Sequence, residues 1–272
     1  EKYKQTKGEL FKAAKKAHVI NLDDEYAEYF LRFRADIIFG YRIPGTRTPI
    51  VGEQALQILE AKVSADEREG VRFSAGDTEF RLNLLGTFNV SNALAAVCVG
   101  ISQGVPVKIC KTALETLQGV PGRMEIVARE PFEAIVDYAF TPAALEKVYK
   151  TLRSRLRAKT PNGKLICVLG AAGGGRDAWK RPILGKLAGT YCDTIVVTNE
   201  DPYDENPSQI LSQIKSGILN SQFPISNFYE ILDRREAIAK AFSLAGPGDI
   251  VVITGKGSED SIAWAKGKKT PW

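Results

Sequence analysis

Histidine is nearly missing from this chain: His18 is the sole imidazole among 272 residues. That scarcity argues against Ser-His-Asp chemistry and against histidine-built metal clusters. His18 borders an apolar strand pattern, where a core role is the commoner one. The four cysteines, Cys98, Cys110, Cys167 and Cys192, have no CxxC spacing and sit among apolar residues. They are expected as small core residues in a reducing compartment. No apolar run approaches the roughly 18 residues that span a bilayer, and no signal peptide opens the chain. Membrane insertion is therefore not expected. The net charge of +5 is modest, and lysines and arginines are mixed with acids rather than striped. No nucleic-acid partner is implied. Nor does any GxxxxGK[ST] phosphate loop occur. What is present, 44% hydrophobic and 25% charged residues, is the composition of a globular protein of one large or two ordinary domains.

The most informative stretch is KLICVLGAAGGGRDAWKRP, Lys164–Pro182. It reads as a buried strand (Leu165–Leu169), a glycine-rich loop (Gly170–Gly175) and a helix with Pro182 near its first turn. Glycines let backbone approach a ligand, and Arg176, Asp177, Lys180 and Arg181 follow at once; the basic members suit an anion.

Upstream, residues 1–17 have helical spacing, His18–Asp24 reads as a strand, Glu25–Phe33 as a short helix and Asp36–Gly40 as another strand. Turn signals stand at Pro44-Gly45 and Pro49. From Glu60 to Leu85 the pattern alternates, with a hairpin turn at Gly76-Asp77 and antiparallel strands around it. Gly86–Gly104 changes to helical period, with Asn89, Ser91 or Asn92 as candidate caps and Gly104 as its end. A helix at Val107–Leu117 follows, and QGVPGRMEIV is the best boundary signal in the chain. Beyond it, strands at Ala134–Tyr138, Leu165–Leu169, Thr194–Thr198, Asn227–Leu232 and Asp249–Thr254 alternate with helices. The helices are expected from Pro142 to about Leu156, near Ile183–Thr190, and at Pro207–Leu219 and Arg234–Ala245. Such alternation predicts a parallel α/β sheet with ligands at the carboxyl ends of its strands. Asp137-Tyr138, Gly170–Asp177, Asn199–Asp204 and Gly255–Asp260 fall at those ends and together suggest one site.

FNVSNALAA, PGRME, VDYAFTP, GGGRDAWKRP, TNEDPYDENP and GKGSED occur in the order seen in Mur ligases. The set resembles the MurE type, which adds the third residue of the peptidoglycan stem peptide to UDP-N-acetylmuramoyl-L-Ala-D-Glu. The resemblance implies part of a central ATP-binding domain over residues 1–121 and a Rossmann-like C-terminal domain over 122–272. It implies ATP-dependent amide ligation through an acyl phosphate, with magnesium, in a cytoplasmic monomer. By resemblance, Lys7 is a carbamoylated magnesium ligand and takes part in catalysis. Asn89 and Asn92 meet the adenine, Asp137 the ribose, and Arg123 meets ATP in a catalytic role. Arg176, Asp201, Tyr203, Gly255 and Glu259 lie with the incoming amino acid, Arg176 on its carboxylate and Glu259 on its amine.

Departures from the family pattern are specific. The phosphate loop and the domain for the uridine nucleotide are missing, so the chain reads as a fragment that would not turn over ATP alone. Phe140 and Ser258 stand where histidines are usual, and Tyr203 where a DNPR-like motif has arginine. With Glu200, Asp201, Asp204 and Glu205 around Tyr203, the loop is expected to favour a diamine such as lysine over diaminopimelate. Three alternatives compete: a sister ligase of the folylpolyglutamate or cyanophycin synthetase kind, a non-catalytic binding module, and a nicotinamide-binding domain suggested by Gly173, Gly175 and Ala178.

Overall fold

The computed structural model describes residues 2–44, 56–67, 70–221 and 225–271. The chain divides into two compact units, Glu1–Gln118 and Gly119–Trp272. The turn expected at Gly45 and Pro49 lies outside the described residues.

In the first unit, α1 (Lys2–Ala13) leads into β1 (Ala17–Asn21), α2 (Ala27–Phe30) and β2 (Ile37–Arg42). Then come β3 (Leu56–Glu67), β4 (Gly70–Ala75), β5 (Thr78–Leu82), α3 (Phe88–Ser102) and α4 (Val107–Thr116). The five strands form one sheet in sequence order; β1 to β3 are parallel, and β3 to β5 are antiparallel. Gly76 makes the β4–β5 turn at a φ of 56°, a left-handed conformation that glycine adopts without strain. The hairpin sends Val71, Phe73, Phe80 and Leu82 inward against Val90, Leu94 and Val97 of α3. His18 is buried, and its Nε2 lies 3.0 Å from the Phe11 carbonyl and 2.9 Å from that of Ala14. Carbonyls only accept, so Nε2 carries the proton and ties β1 to the end of α1. The side-chain cap expected for α3 is not made. Its N-cap is Thr87 without a side-chain bond, while Asn89 Nδ2 donates back to the Leu85 carbonyl at 2.8 Å.

The second unit contains β6 (Glu125–Ala128), β7 (Glu133–Val136), α5 (Pro142–Lys159), β8 (Leu165–Leu169) and α6 (Lys180–Tyr191). It continues with β9 (Thr194–Val197), α7 (Pro207–Leu219), β10 (Phe228–Glu230), α8 (Arg234–Leu244) and β11 (Ile250–Ile253). Its six-stranded sheet has the order β10-β9-β8-β11-β7-β6, parallel except for β6. β8, β9 and β11 are buried throughout, as strands covered on both faces must be. A small antiparallel pair, β12 (Ser261–Ala263) and β13 (Lys269–Pro271), follows. Helices α6 and α7 touch backbone to backbone: a Cβ on Gly185 would strike the Ile214 carbonyl, and one on Gly217 that of Pro182.

One expectation about cysteine fails. Cys167, in the middle of β8, is joined to Cys192, just past the end of α6, with Cα atoms 6.1 Å apart. The crossover returns the chain to the strand that it left, so residues 25 apart meet at bonding distance. Only Cys98 and Cys110 are free thiols. Among the described residues, no helix is long and apolar enough to cross a membrane.

Candidate functional site

The parallel strands of the second unit end together, and their exits build a connected polar cluster. β11 runs into Gly255-Lys256-Gly257, and Lys256 is buried with only 2% of its side chain exposed. Its ammonium donates to both Asp201 carboxylate oxygens, at 2.8 and 2.9 Å, and to Glu259 Oε2 at 2.5 Å. Asp201 also accepts from the Ala263 amide at 2.8 Å, which fixes the exit of β9 to β12. Glu259 Oε1 accepts from the Tyr138 hydroxyl at 2.7 Å. On the ring of Tyr138 lies the exposed Arg123 guanidinium, 4.3 Å from the centroid. Burial pushes the Glu259 carboxyl up, but the bonds from Lys256 and Tyr138 outweigh it and leave it below the ordinary range. The same Glu259 bond, with burial, raises the Tyr138 phenol.

Glycines let these loops close on one another. Gly122 holds a φ of 67°, and a Cβ there would collide with the backbone of Gly257 and Ser258. That contact brings the Arg123 turn onto the β11 exit. Gly255, at a φ of 102°, leaves room for the Glu200 carboxylate, which a Cβ would strike. Glu200 is buried, and its Oε2 has no hydrogen-bond partner. Burial holds its pKa above the ordinary value against the pull of Arg234, Lys180 and Lys256. Nearby Arg234 is also buried, donating to the Asn199 carbonyl at 3.1 Å and that of Thr254 at 2.8 Å, and burial lowers it to about 10.

Asp137 sits at the exit of β7 with both oxygens bonded to main chain, the Met124 amide at 2.8 Å and the Ala139 amide at 2.7 Å. Burial raises its pKa despite those bonds. A ribose hydroxyl would have to use its remaining lone pairs. Of the four charges after the glycine loop, only Arg176 and Asp177 are exposed. Arg181 is buried and spent on structure, donating to Gln213 at 2.7 Å and to the Ala172 carbonyl at 3.0 Å, and pairing with Glu205 at 2.9 Å. Lys180 is buried with its ammonium 5.0 Å from the Phe140 ring centre, and burial lowers its pKa. Tyr203 adopts a φ of 52° and packs under Gly174, whose Cβ would fall 2.7 Å from its ring.

In the first unit, Lys7 is exposed on α1 with its amine 5.5 Å from the Tyr3 ring centre. Asn92, exposed, donates to Asn89 Oδ1 at 2.9 Å and keeps its own carbonyl oxygen for a ligand. Among the described residues, no group of three histidine, cysteine or acidic side chains could hold a metal ion. A carbamate on Lys7 would be a single oxygen ligand. A cavity of about 400 Å³ in the second unit is lined by Asn199 and Arg234 of these strand exits and by Leu232, Ile262, Trp264 and Pro271 among others. None of the residues implied for the amino acid lines it.

Tyr138, Lys180, Glu200 and Lys256 lie in stretches that the sequence singled out, but none of them was given a binding role of its own. Only packing distinguishes them from their neighbours. The reading of the acidic loop needs correction. Asp201 is taken by Lys256 and Glu205 by Arg181, so two of the four acids counted there are paired within the protein, while Asp204 is exposed. The helix after it is capped by Asn206, which accepts from the Ser208 amide.

A parallel α/β sheet with charged loops gathered at its strand exits is an arrangement in which open α/β domains commonly hold their ligands. Comparison narrows the class: a family model described as Mur ligase middle domain matches residues 1–100, and one described as Mur ligase, glutamate ligase domain, matches residues 122–257. The chain belongs to the Mur ligase family. It is 36% identical over 296 residues to a UDP-N-acetylmuramyl-tripeptide synthetase of Roseiflexus sp. (strain RS-1), covering 100% of this chain and 54% of that protein. It is 37% identical over 274 residues to a UDP-N-acetylmuramoyl-L-alanyl-D-glutamate--2,6-diaminopimelate ligase of Aquifex aeolicus, covering 100% of this chain and 52% of that one. A solved structure of a ligase with this second name matches 99% of this chain and 54% of its own, at 30% identity and a TM-score of 0.52. A pseudomurein peptide ligase type C from Methanothermus fervidus shares the fold, at 22% identity and a TM-score of 0.66 over 94% of this chain and 57% of that one. The chain spans about half the length of the curated relatives it matches.

Proposed function

We propose that the protein serves an ATP-dependent ligase of the MurE type, which joins 2,6-diaminopimelate as third residue to UDP-N-acetylmuramoyl-L-Ala-D-Glu. The observation behind this reading is the Asp201–Lys256–Glu259–Tyr138 cluster at the strand exits, in a chain similar along its whole length to ligases of that name. ATP supplies the phosphoryl group that activates the substrate carboxylate toward attack by an amine. The residues of this chain bind and orient. Arg176, exposed beside the glycine loop, suits the carboxylate of the incoming amino acid, and Glu259 suits its ammonium. Gly255 lets the loop pass close to the bound molecule, while Asp201 and Tyr203 shape the neighbouring turn. Arg123 and Asp137 serve ATP from this unit, and Asn89 and Asn92 present amides suited to adenine. Lys7, as a carbamate, would add a hard oxygen ligand for magnesium.

Diaminopimelate is preferred to lysine because relatives of this chain carry that name, and the pairing of Asp201 with Lys256 and of Glu205 with Arg181 lessens the repulsion a distal carboxylate would meet. The test is ATP-dependent incorporation of labelled amino acid into the UDP-linked dipeptide. The protein is supplied with the segments that its relatives have beyond the matched half. Incorporation of diaminopimelate, lost in Glu259→Ala, supports the reading. Incorporation of lysine alone, or of glutamate into a folate substrate, would overturn it in favour of a sister ligase.

A further inference from the structure

Tyr138 touches both ends of the site just described, with different parts of its side chain. Its ring face lies under the Arg123 guanidinium at 4.3 Å, and its hydroxyl donates to Glu259 Oε1 at 2.7 Å. Glu259 Oε2 is held by Lys256, which is itself held by Asp201. We propose that Tyr138 is a positioning residue that sets Glu259 for the incoming amine and couples it to Arg123 on the nucleotide side. This rests on the ligase reading for what the two ends bind.

The physical argument is one of orientation. A carboxylate fixed by Lys256 alone can swing about its side-chain torsions, because 42% of the Glu259 side chain is exposed. A second bond, on the other oxygen, fixes the plane of the carboxylate and directs its remaining lone pairs. The aromatic face meanwhile holds an exposed arginine over the same ring through cation–π attraction. A shift of Arg123 toward a triphosphate therefore changes the packing of the ring whose hydroxyl orients Glu259. The half-buried Tyr138 has little freedom to absorb that change, since Phe140 packs edge-on at 5.3 Å and Gly257 lies so close that a Cβ on it would strike the Tyr138 side chain. Nucleotide and amino-acid binding would then be linked, and linkage is reciprocal.

Tyr138→Phe keeps the ring and deletes the hydroxyl, while Tyr138→Leu deletes both. Calorimetric titrations of the chain with ATP and with 2,6-diaminopimelate separate the two functions. The expected result is a roughly tenfold or greater loss of diaminopimelate affinity in Tyr138→Phe with ATP affinity unchanged. Tyr138→Leu should weaken both. Arg123→Ala should weaken diaminopimelate a few-fold in the wild-type background and not at all in Tyr138→Leu. In Tyr138→Phe a structural role alone would move both affinities together or neither, and either pattern in that variant overturns the proposal. A ligand-free check is the melting temperature of Tyr138→Phe, Glu259→Gln and the double variant. Additive shifts would overturn the coupling itself, whereas non-additive shifts in a chain that binds neither ligand would overturn the ligase reading and the role of Tyr138 with it.

Discussion

Lys256 shows how much of the site is decided by single side chains. A buried ammonium is tolerated because three carboxylate oxygens surround it, and the two acids remain close together because the ammonium lies between them. Lys256→Met should therefore destabilise the chain by about 2 kcal/mol, with the exposure of Glu259 keeping the effect below that of a fully buried pair. Urea unfolding measures it; an unchanged midpoint would contradict the account. A second buried ion group is structural. Glu133 is held by Arg155 at 2.8 and 2.9 Å and by Lys159, and these bonds overcome the effect of burial to lower its pKa to about 2 from 4.5. A folded-state pKa below the unfolded one gives stability that is complete above about pH 4.5 and disappears as pH falls toward 2. On the order of 2–3 kcal/mol should be lost across that window, and Glu133→Gln should flatten this limb of the stability profile. At this scale the sequence was least legible. Arg181 and Lys180 read as cations suited to an anion beside a glycine loop, but both are buried, and only packing reveals it.

At the scale of elements, the alternation beyond residue 125 was readable because parallel strands covered on both faces are continuous apolar runs. Leu165–Leu169 and Pro207–Leu219 begin and end where the pattern places them. The missed strands lack that signal. β6 has two exposed residues in four, and β12 and β13 have three residues each, too few for a period. The α6–α7 contact was equally silent, since glycines inside helices look like weaknesses until another backbone is found against them. Gly217→Ala should force these helices apart and cost about 2–3 kcal/mol, whereas Gly119→Ala, in open space and without a left-handed φ, should not disturb their packing. Thermal unfolding of the two variants separates the cases, and equal small shifts would show that the helix contact is not so close. The disulfide between Cys167 and Cys192 belongs to this scale too, for it depends on α6 returning to the strand from which the chain set out.

At the scale of the whole molecule, the ordered motifs pointed to the family more clearly than any element did, and the family models match on either side of residues 101–121. The preference for lysine was argued from charge counted along the loop without its partners, and the pairing of Asp201 and Glu205 weakens that argument. The central claim is that the strand-exit cluster of the second unit receives a zwitterionic amino acid, and its most direct test is competitive calorimetric titration of the chain with 2,6-diaminopimelate and lysine. The account predicts saturable binding of diaminopimelate, at least tenfold weaker binding of lysine, and loss of binding in both Arg176→Ala and Glu259→Gln. Tighter binding of lysine, or diaminopimelate binding that survives both substitutions, would contradict it.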